Sequence, residues 1–331
     1  MEHLRQFEES MCIRINDTCQ GINTVFEQSG IFRPRYSSSM DPLEGSMTQS
    51  RENKFAFGRN WQSFLNVLDD DHITAAQDSI KSLLGVTRLD GKRFLDVGCG
   101  SGLLSLAVRR LGARVHSFDY DQQSVACTNT LRQRYFPADA DWTVEQGSAL
   151  DQGYLAGLGQ ADVVYSWGVL HHTGALWQAI ENVLPLVAPG GSLTLAIYNF
   201  QGAATRVWTA VKRLYASSLK PAQVLIAALV CCYFEWWHMV DRVIHLKNPL
   251  PCADWKAYRA QRGMSRWHDY VDWAGGYPFE TSTPDELFRF VHSRGFELVR
   301  MKTLRGGLGC NEFTFVKKPA ASVPHATGAP A

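Results

Sequence analysis

The 331-residue chain lacks most features that assign a protein class at once. Its charges nearly cancel, 33 Lys and Arg against 32 Asp and Glu, so no overall field draws it to nucleic acid. Its cysteines, at 12, 19, 99, 127, 231, 232, 252 and 310, form no C-x-x-C pair. That spacing excludes a disulfide framework and a zinc centre, leaves metal out of the expected site, and fits a reducing cytoplasm. Internal repeats are absent. The apolar run Val224 to Phe234 has eleven residues, short of the about 20 that a membrane-spanning helix takes. Residues 1–20 carry Glu2, Arg5, Glu8, Glu9 and Arg14 and no long apolar stretch, which argues against a secretory signal.

What is present is concentrated in Phe94-Leu95-Asp96-Val97-Gly98-Cys99-Gly100-Ser101-Gly102. Phe94 to Val97 reads as a buried strand running into a glycine turn. A helix follows, with Leu103, Leu106, Ala107 and Arg110 at helical spacing. Alternating glycines let a ligand approach the backbone at a helix N-terminus whose N–H groups point outward. A dinucleotide turn is usually G-x-G-x-x-G. Here the third glycine, Gly102, comes one place early, and position 103 is Leu. Asp96 before the turn repels a pyrophosphate and suits a cation or an amine.

Strand and helix patterns then alternate. Ala113 to Phe118 reads as a strand ending in Asp119, with Asp121 as cap of a helix from Gln122. Trp142 to Gly147 and Ala161 to Trp167 read as further strands. A helix carries Leu176, Ile180, Val183, Leu184 and Val187 on one face. Pro189-Gly190-Gly191 turns into a strand, Ser192 to Ile197. This alternation predicts an α/β fold with a parallel sheet and helices on both faces. Ligands bind such sheets at the carboxyl ends of the strands, where Asp96, Asp119, Ser148, Trp167 and Tyr198 fall.

The acid before the G-x-G-x-G turn, the strand ending in Asp119 and the run Gly168-Val169-Leu170-His171-His172 resemble class I S-adenosylmethionine (SAM) dependent methyltransferases. The resemblance covers residues 91–200 motif by motif, and 55–90 and 281–317 in layout only. It implies a Rossmann-like, seven-stranded, mostly parallel sheet with an antiparallel last strand, a helical N-terminal cap and a helical lid insertion. It implies S-adenosyl-L-methionine as cofactor, held by Asp96, Gly98, Cys99, Gly100, Gly102, Asp119, Tyr120, Ser148, Ala149 and Trp167. Asp119 occupies the position that holds the ribose hydroxyls. Ser148 stands where the family usually has an acid for the adenine amine, with Asp151 or the Ala149 backbone as substitutes. Gly168 to His172, Tyr198 to Gly202 and the apolar insert look loosely like ubiquinone-biosynthesis-type O-methyltransferases.

Residues 1–50 read as a partly helical or linker extension, or part of a homodimer contact; 51–90 as a helical cap, with Trp61 over the ligand or in the core; 91–200 as the cofactor core. Residues 201–280 form the lid and acceptor insert, 281–318 complete the sheet, and 319–331 are a disordered tail. Six of ten tryptophans, 208, 236, 237, 255, 267 and 273, fall in the insert. Residues 201–270 hold ten Lys or Arg against four Asp or Glu. A buried lid helix is the first expectation for the apolar run. A peripheral membrane contact through 221–245 is the second, since Trp with Lys and Arg flanks suits an interface.

Methyl transfer is an in-line displacement in which the protein aligns the acceptor and removes its proton. Histidine is the first base to consider, which nominates His171, His172 and His268 as catalytic, with a structural role for the pair as the alternative. Tyr198, Asn199, Trp267, Tyr277, Asn311 and Trp61 are the expected acceptor contacts. The expected function is methylation of an oxygen on a small or lipid-linked molecule. Modification of tRNA or other RNA, methylation of nitrogen or carbon in a small metabolite, and non-catalytic SAM binding are the alternatives. Nucleic acid is the less favoured partner, because the insert's basic residues are interleaved with apolar ones.

Overall fold

The computed structural model describes residues 65, 68–246, 248, 250, 255, 266–304 and 307–319. In chain order the elements are α1 Asp70–Leu84, β1 Arg93–Val97, α2 Leu103–Arg110, β2 Arg114–Asp119, α3 Gln122–Tyr135, β3 Trp142–Gln146, α4 Gln152–Leu158 and β4 Ala161–Trp167. Then come α5 Leu176–Val183, β5 Val187–Tyr198, α6 Ala203–Ser217, α7 Lys220–Ile244, α8 Arg266–Gly275, α9 Pro284–His292, β6 Phe296–Lys302 and β7 Cys310–Lys317.

The seven strands run in the order β3-β2-β1-β4-β5-β7-β6. β1 to β5 pair in parallel, and β7 is antiparallel to both β5 and β6. Strand alternation splits the apolar runs between two layers. Phe94, Val115, Trp142 and Val163 face α1, α2 and α3. Leu95, Phe118, Val164 and Leu193 face α4, α5 and α9. Four helices carry a side-chain start signal in their own sequence. Asp69, Asp121 and Asp151 cap α1, α3 and α4 through backbone N–H groups of His72, Gln123 and Tyr154. Thr283 and Glu286 form a reciprocal capping box on α9.

Two local expectations change. Pro189-Gly190-Gly191 does not precede β5 but lies within it. Ala161 pairs with Val187 and Val163 with Ser192, so the intervening residues bulge out of the ladder. The larger change concerns the insert. Tyr215, Ala227, Val230, Phe234, Tyr270 and Ala274 pack α6, α7 and α8 into a small core of their own. A buried ionic knot holds it together: the Glu235 carboxylate accepts from Tyr270 Oη (2.7 Å), Trp255 Nε1 (3.2 Å) and Arg266 Nη1 (3.2 Å).

The expected buried lid helix is therefore only half right. α7 continues for 25 residues, far past the apolar run, and only 22% of its most apolar window is buried. Phe234, Glu235 and Arg242 face inward, whereas Val224, Leu225, Leu229, Trp236, Val243 and Ile244 face outward. The inner face thus mixes Ala227, Val230 and Phe234 with the ionic knot, and a second apolar stripe is left outside. Residues 1–50, residues 55–61 with Trp61, and the tail from 320 lie outside the described residues.

Candidate active site at the carboxyl edge of the sheet

The glycine turn is tied to the next strand before any ligand is considered. Gly98 and Cys99 N–H both donate to the Phe118 carbonyl, at 2.8 and 3.1 Å. Gly98, Gly100 and Gly102 all have positive φ, at 84°, 53° and 81°. Packing adds a second demand at two of them. A Cβ on Gly98 would stand 2.4 Å from both Val169 methyls, and one on Gly102 would stand 2.8 Å from Thr128. The turn is thus pressed against the loop after β4 and against α3. Gly100 N–H donates to Asp119 Oδ2 at 3.0 Å, and Asp121 N–H donates to Asp119 Oδ1 at 2.8 Å. Two backbone donors fix the Asp119 carboxylate at the rim of the turn.

Asp96, expected to suit a cation or an amine, sits low beneath the turn. It is 2% exposed and closes a buried relay. Trp142 Nε1 donates to Ser117 Oγ at 3.0 Å, Ser117 to Ser105 Oγ at 2.7 Å, and Ser105 to Asp96 Oδ2 at 2.5 Å. One Asp96 oxygen is thereby committed to the sheet interior. Burial, with Asp119 adding like charge, pushes Asp96 up to about 7. Burial pushes Asp119 up to about 6, against the pull of its backbone donors. Among the described residues no Lys or Arg pairs with either carboxylate, and two such crowded carboxylates favour a positively charged ligand. Spacing alone does not reveal the relay, because Ser105, Ser117 and Trp142 come from three separate elements.

The adenine-side expectations are revised. Ser148 Oγ accepts from Leu150 N–H at 3.2 Å, within its own turn. Asp151 is spent capping α4, and the Ala149 carbonyl accepts from Asn182 Nδ2 at 3.0 Å. Tyr120 is half exposed beside Asp119, its carbonyl taking Gln146 Nε2 at 3.0 Å. Cys99 Sγ accepts from Thr128 Oγ1 at 3.2 Å. Trp167 lies flat against Tyr165, with centroids 5.7 Å apart, at the end of β4.

The expected acceptor side is built by β4, β5 and the end of the insert. His171 is fully buried; its Nδ1 accepts from Tyr198 N–H at 3.3 Å, and its Nε2 has no partner. His172 Nδ1–H donates to the Pro278 carbonyl at 2.7 Å. Burial holds His171 well below the usual histidine range, and burial, countered in part by the Pro278 carbonyl, brings His172 to about 4. Both rings are neutral and weakly basic, so the expected histidine base is a poor proton acceptor. The Tyr198 ring stands 4.0 Å from His171, 5.0 Å from Phe279 and 6.0 Å from Trp273.

Other expected acceptor contacts have partners within the protein. Asn311 Nδ2 donates to Asn199 Oδ1 at 3.0 Å, Asn311 Oδ1 takes Leu304 N–H, and Asn199 Nδ2 donates to Gly307. Both asparagines are buried and clamp the β7 approach to β5. Trp267 packs into the insert's own core. Tyr277 Oη accepts from Arg213 Nε at 3.3 Å, at the insert's surface. His268 lies within α8, with its side chain outside the described residues.

Two residues of the site escape a reading by motif. Glu280 accepts from Leu176 N–H at 3.0 and 3.1 Å and so caps α5 from 104 residues away. Lys212 is 1% exposed; its Nζ donates to the Trp273 carbonyl and lies 4.1 Å from the Trp273 ring centre and 4.9 Å from that of Phe279. A helical wheel holds the signal for Lys212. Thr205, Trp208, Lys212 and Tyr215 share one face of α6, and the lysine is the odd member of that stripe.

Residues 95–193 match a family described as a methyltransferase domain. A ubiquinone biosynthesis O-methyltransferase of Caulobacter sp. (strain K31) is 32% identical over 121 residues, 35% of this chain and 44% of that protein. One of Xanthomonas oryzae pv. oryzae (strain PXO99A) is 31% identical over 173 residues, 49% of this chain and 66% of that protein. The chain carries a class I SAM-dependent methyltransferase domain. It spans less than two thirds of either relative's length. Among solved structures, magnesium protoporphyrin IX methyltransferase from Synechocystis PCC 6803 with bound SAH aligns over 78% of this chain and 95% of its own, with 16% identity and a TM-score of 0.44.

SAM is the cofactor of this methyltransferase domain, and the residues present fit it. The cradle accepts no Cβ at Gly98 or Gly102, and the two crowded carboxylates favour a cationic ligand. The turn at 98–102 and Asp119 would hold SAM, which supplies an activated methyl group when bound.

Proposed function

We propose that this methyltransferase transfers a methyl group from SAM to a hydroxyl oxygen on a lipid-linked or otherwise apolar small molecule. The observation that carries the reading is the placement of the insert. Its inner end, Trp273 to Phe279, packs on His171, His172 and Tyr198 at the ends of β4 and β5. Its outer helix α7 presents Leu225, Leu229, Trp236 and Val243 to the outside along one stripe. The same insert therefore reaches both the reaction centre and an apolar phase. The named activity of the Caulobacter and Xanthomonas relatives supports oxygen as the methylated atom.

The apolar face is also the basis of a proposed peripheral contact with a membrane. Arg206, Arg213 and Lys220 are exposed on α6 and at the start of α7, interleaved with exposed Val207, Leu214 and Leu219. Apolar side chains ringed by cations suit an anionic lipid surface.

The test supplies the protein with SAM labelled in its methyl group and, in separate reactions, with total bacterial lipid extract and total bacterial RNA. Label should enter the organic phase as an ether that survives mild base. Label in RNA alone, in a base-labile ester, or in neither substrate overturns the reading.

A further inference from the structure

We propose that Lys212 takes the proton of the acceptor's hydroxyl, a phenol or an enol, and that Lys212 Nζ together with His171 Nε2 then holds the resulting oxygen anion; this rests on the methyl-transfer reading above.

Two independent observations carry it. The first is the lysine. Lys is almost never fully buried unless it is paired. Lys212 is buried on α6, yet among the described residues no carboxylate forms an ion pair with its Nζ. Its one hydrogen bond goes to the Trp273 carbonyl, and the rest of the ammonium lies against the faces of Trp273 and Phe279. Aromatic faces tolerate a cation but accept no proper hydrogen bond from it. The second observation is the histidine. His171 Nδ1 accepts from Tyr198 N–H, so the neutral ring carries its proton on Nε2, which is buried and unpartnered. A native structure seldom leaves a buried donor unsatisfied without a functional reason.

The two groups are linked by one chain of ring contacts, and the charge of Lys212 acts on His171. The Lys212 rings, Trp273 and Phe279, contact Tyr198, and Tyr198 contacts His171. Both groups offer protons, so the ligand chemistry they match is an anionic oxygen. The charged and titratable groups that bear on Lys212 are His171 and His172, whose basicity it lowers, and Asp272, which steadies its charge. Burial brings Lys212 down to about 7, so the free amine is present at neutral pH, as a base for a phenol requires.

The atoms balance. The acceptor's O–H proton moves to the Lys212 amine lone pair. The acceptor oxygen forms its bond to the methyl carbon as the carbon–sulfur bond breaks, with that electron pair going to sulfur. Lys212 returns the proton to water when the product leaves.

The test uses 4-nitrophenol, whose neutral and ionised forms differ in absorbance, added to the full-length protein with S-adenosylhomocysteine. Wild type should bind the ionised form below the pH at which the free probe ionises. Lys212→Met should lower affinity for that form about 100-fold, and Lys212→Arg should bind it without catalysing transfer. Lys212→Met should also melt at a higher temperature, because it replaces a buried cation by an apolar chain of similar size. Three outcomes overturn the proposal: ionised probe bound equally by Lys212→Met, no ionised probe on wild type, or a lower melting temperature for Lys212→Met. SAM binding is measured alongside. Its absence from wild type sinks the methyltransferase reading itself; SAM binding without a probe effect sinks the role of Lys212 alone.

Discussion

His172 Nδ1–H donates to the Pro278 carbonyl at 2.7 Å, across 106 residues of chain. The bond joins the loop after β4 to the end of the insert. Glu280 N–H donates to the His171 carbonyl at 3.0 Å, and the Glu280 carboxylate caps α5. Three links within a few residues thus fasten the insert to the motif that follows the fourth strand. The histidine pair thus anchors the end of the insert to the loop after β4.

Glu280→Gln tests the fastening. The amide keeps an oxygen acceptor but loses the charge that favours a helix N-terminus. Glu280→Ala removes the cap altogether and should cost about 1 kcal/mol, lowering the melting temperature by about 2–4 °C. SAM affinity should change little in either variant, since the cap lies on the acceptor side. Calorimetric melting and SAM titration separate the two effects; a large loss of SAM binding in Glu280→Gln would refute this division of the site.

The two carboxylates make stability depend on pH. Asp96 is raised to about 7 from an ordinary 3.8, so the folded protein holds a proton that the unfolded chain releases. The stability this contributes is complete below about 4 and is lost as the pH rises through 7. Asp96→Asn should therefore raise the melting temperature at pH 8 by several degrees, with the gain shrinking toward pH 4. The same variant should bind SAM at least tenfold more weakly, as should Asp119→Asn. Melting curves from pH 4 to 9 and SAM titrations check this. A variant that is no more stable than wild type at pH 8 would contradict the burial of an ionised Asp96.

Gly98→Ala places a Cβ 2.4 Å from the Val169 methyls at a φ of 84°. The backbone strain alone costs about 1–3 kcal/mol. Pairing the change with Val169→Ala removes the clash but not the strain. The double variant should thus recover part of the lost stability, and the two substitutions should couple by about 0.5–3 kcal/mol. Additive effects would mean that the turn and the loop after β4 do not press on each other.

For α7 the prediction concerns lipid. Wild type should sediment with phosphatidylglycerol vesicles, and Leu225→Glu with Leu229→Glu should stay in solution while SAM binding persists. Raising the salt should weaken binding in part, since Arg206, Arg213 and Lys220 each add about 1 kcal/mol near an anionic surface. Equal sedimentation of variant and wild type, or none by either, would remove the membrane contact.

The cofactor half of the site was largely legible because its signals are local. Asp96, Gly98, Gly100, Gly102 and Asp119 lie in two short strand–turn–helix units, where backbone geometry demands glycine and the strand end presents an acid. The acceptor half was not. Asn199 and Asn311 look like ligand contacts in the sequence, yet they bind each other, because β7 returns beside β5 in the folded sheet. Lys212 looks like one more solvent-facing charge in a basic insert until α6 is packed against Trp273 and Phe279.

The sequence by itself determined the sheet, the order of its elements, the cofactor class and the position of the insert. Each follows from periodicity, turn chemistry and a motif within about ten residues. Tertiary structure alone decided that Asp96 ends a buried relay, that α7 turns its apolar stripe outward, and that Lys212 is buried against Trp273 and Phe279, which pack on Tyr198 beside His171. These depend on which residues meet across 20 to 110 positions of chain, and burial rather than residue type then sets their protonation and their partners.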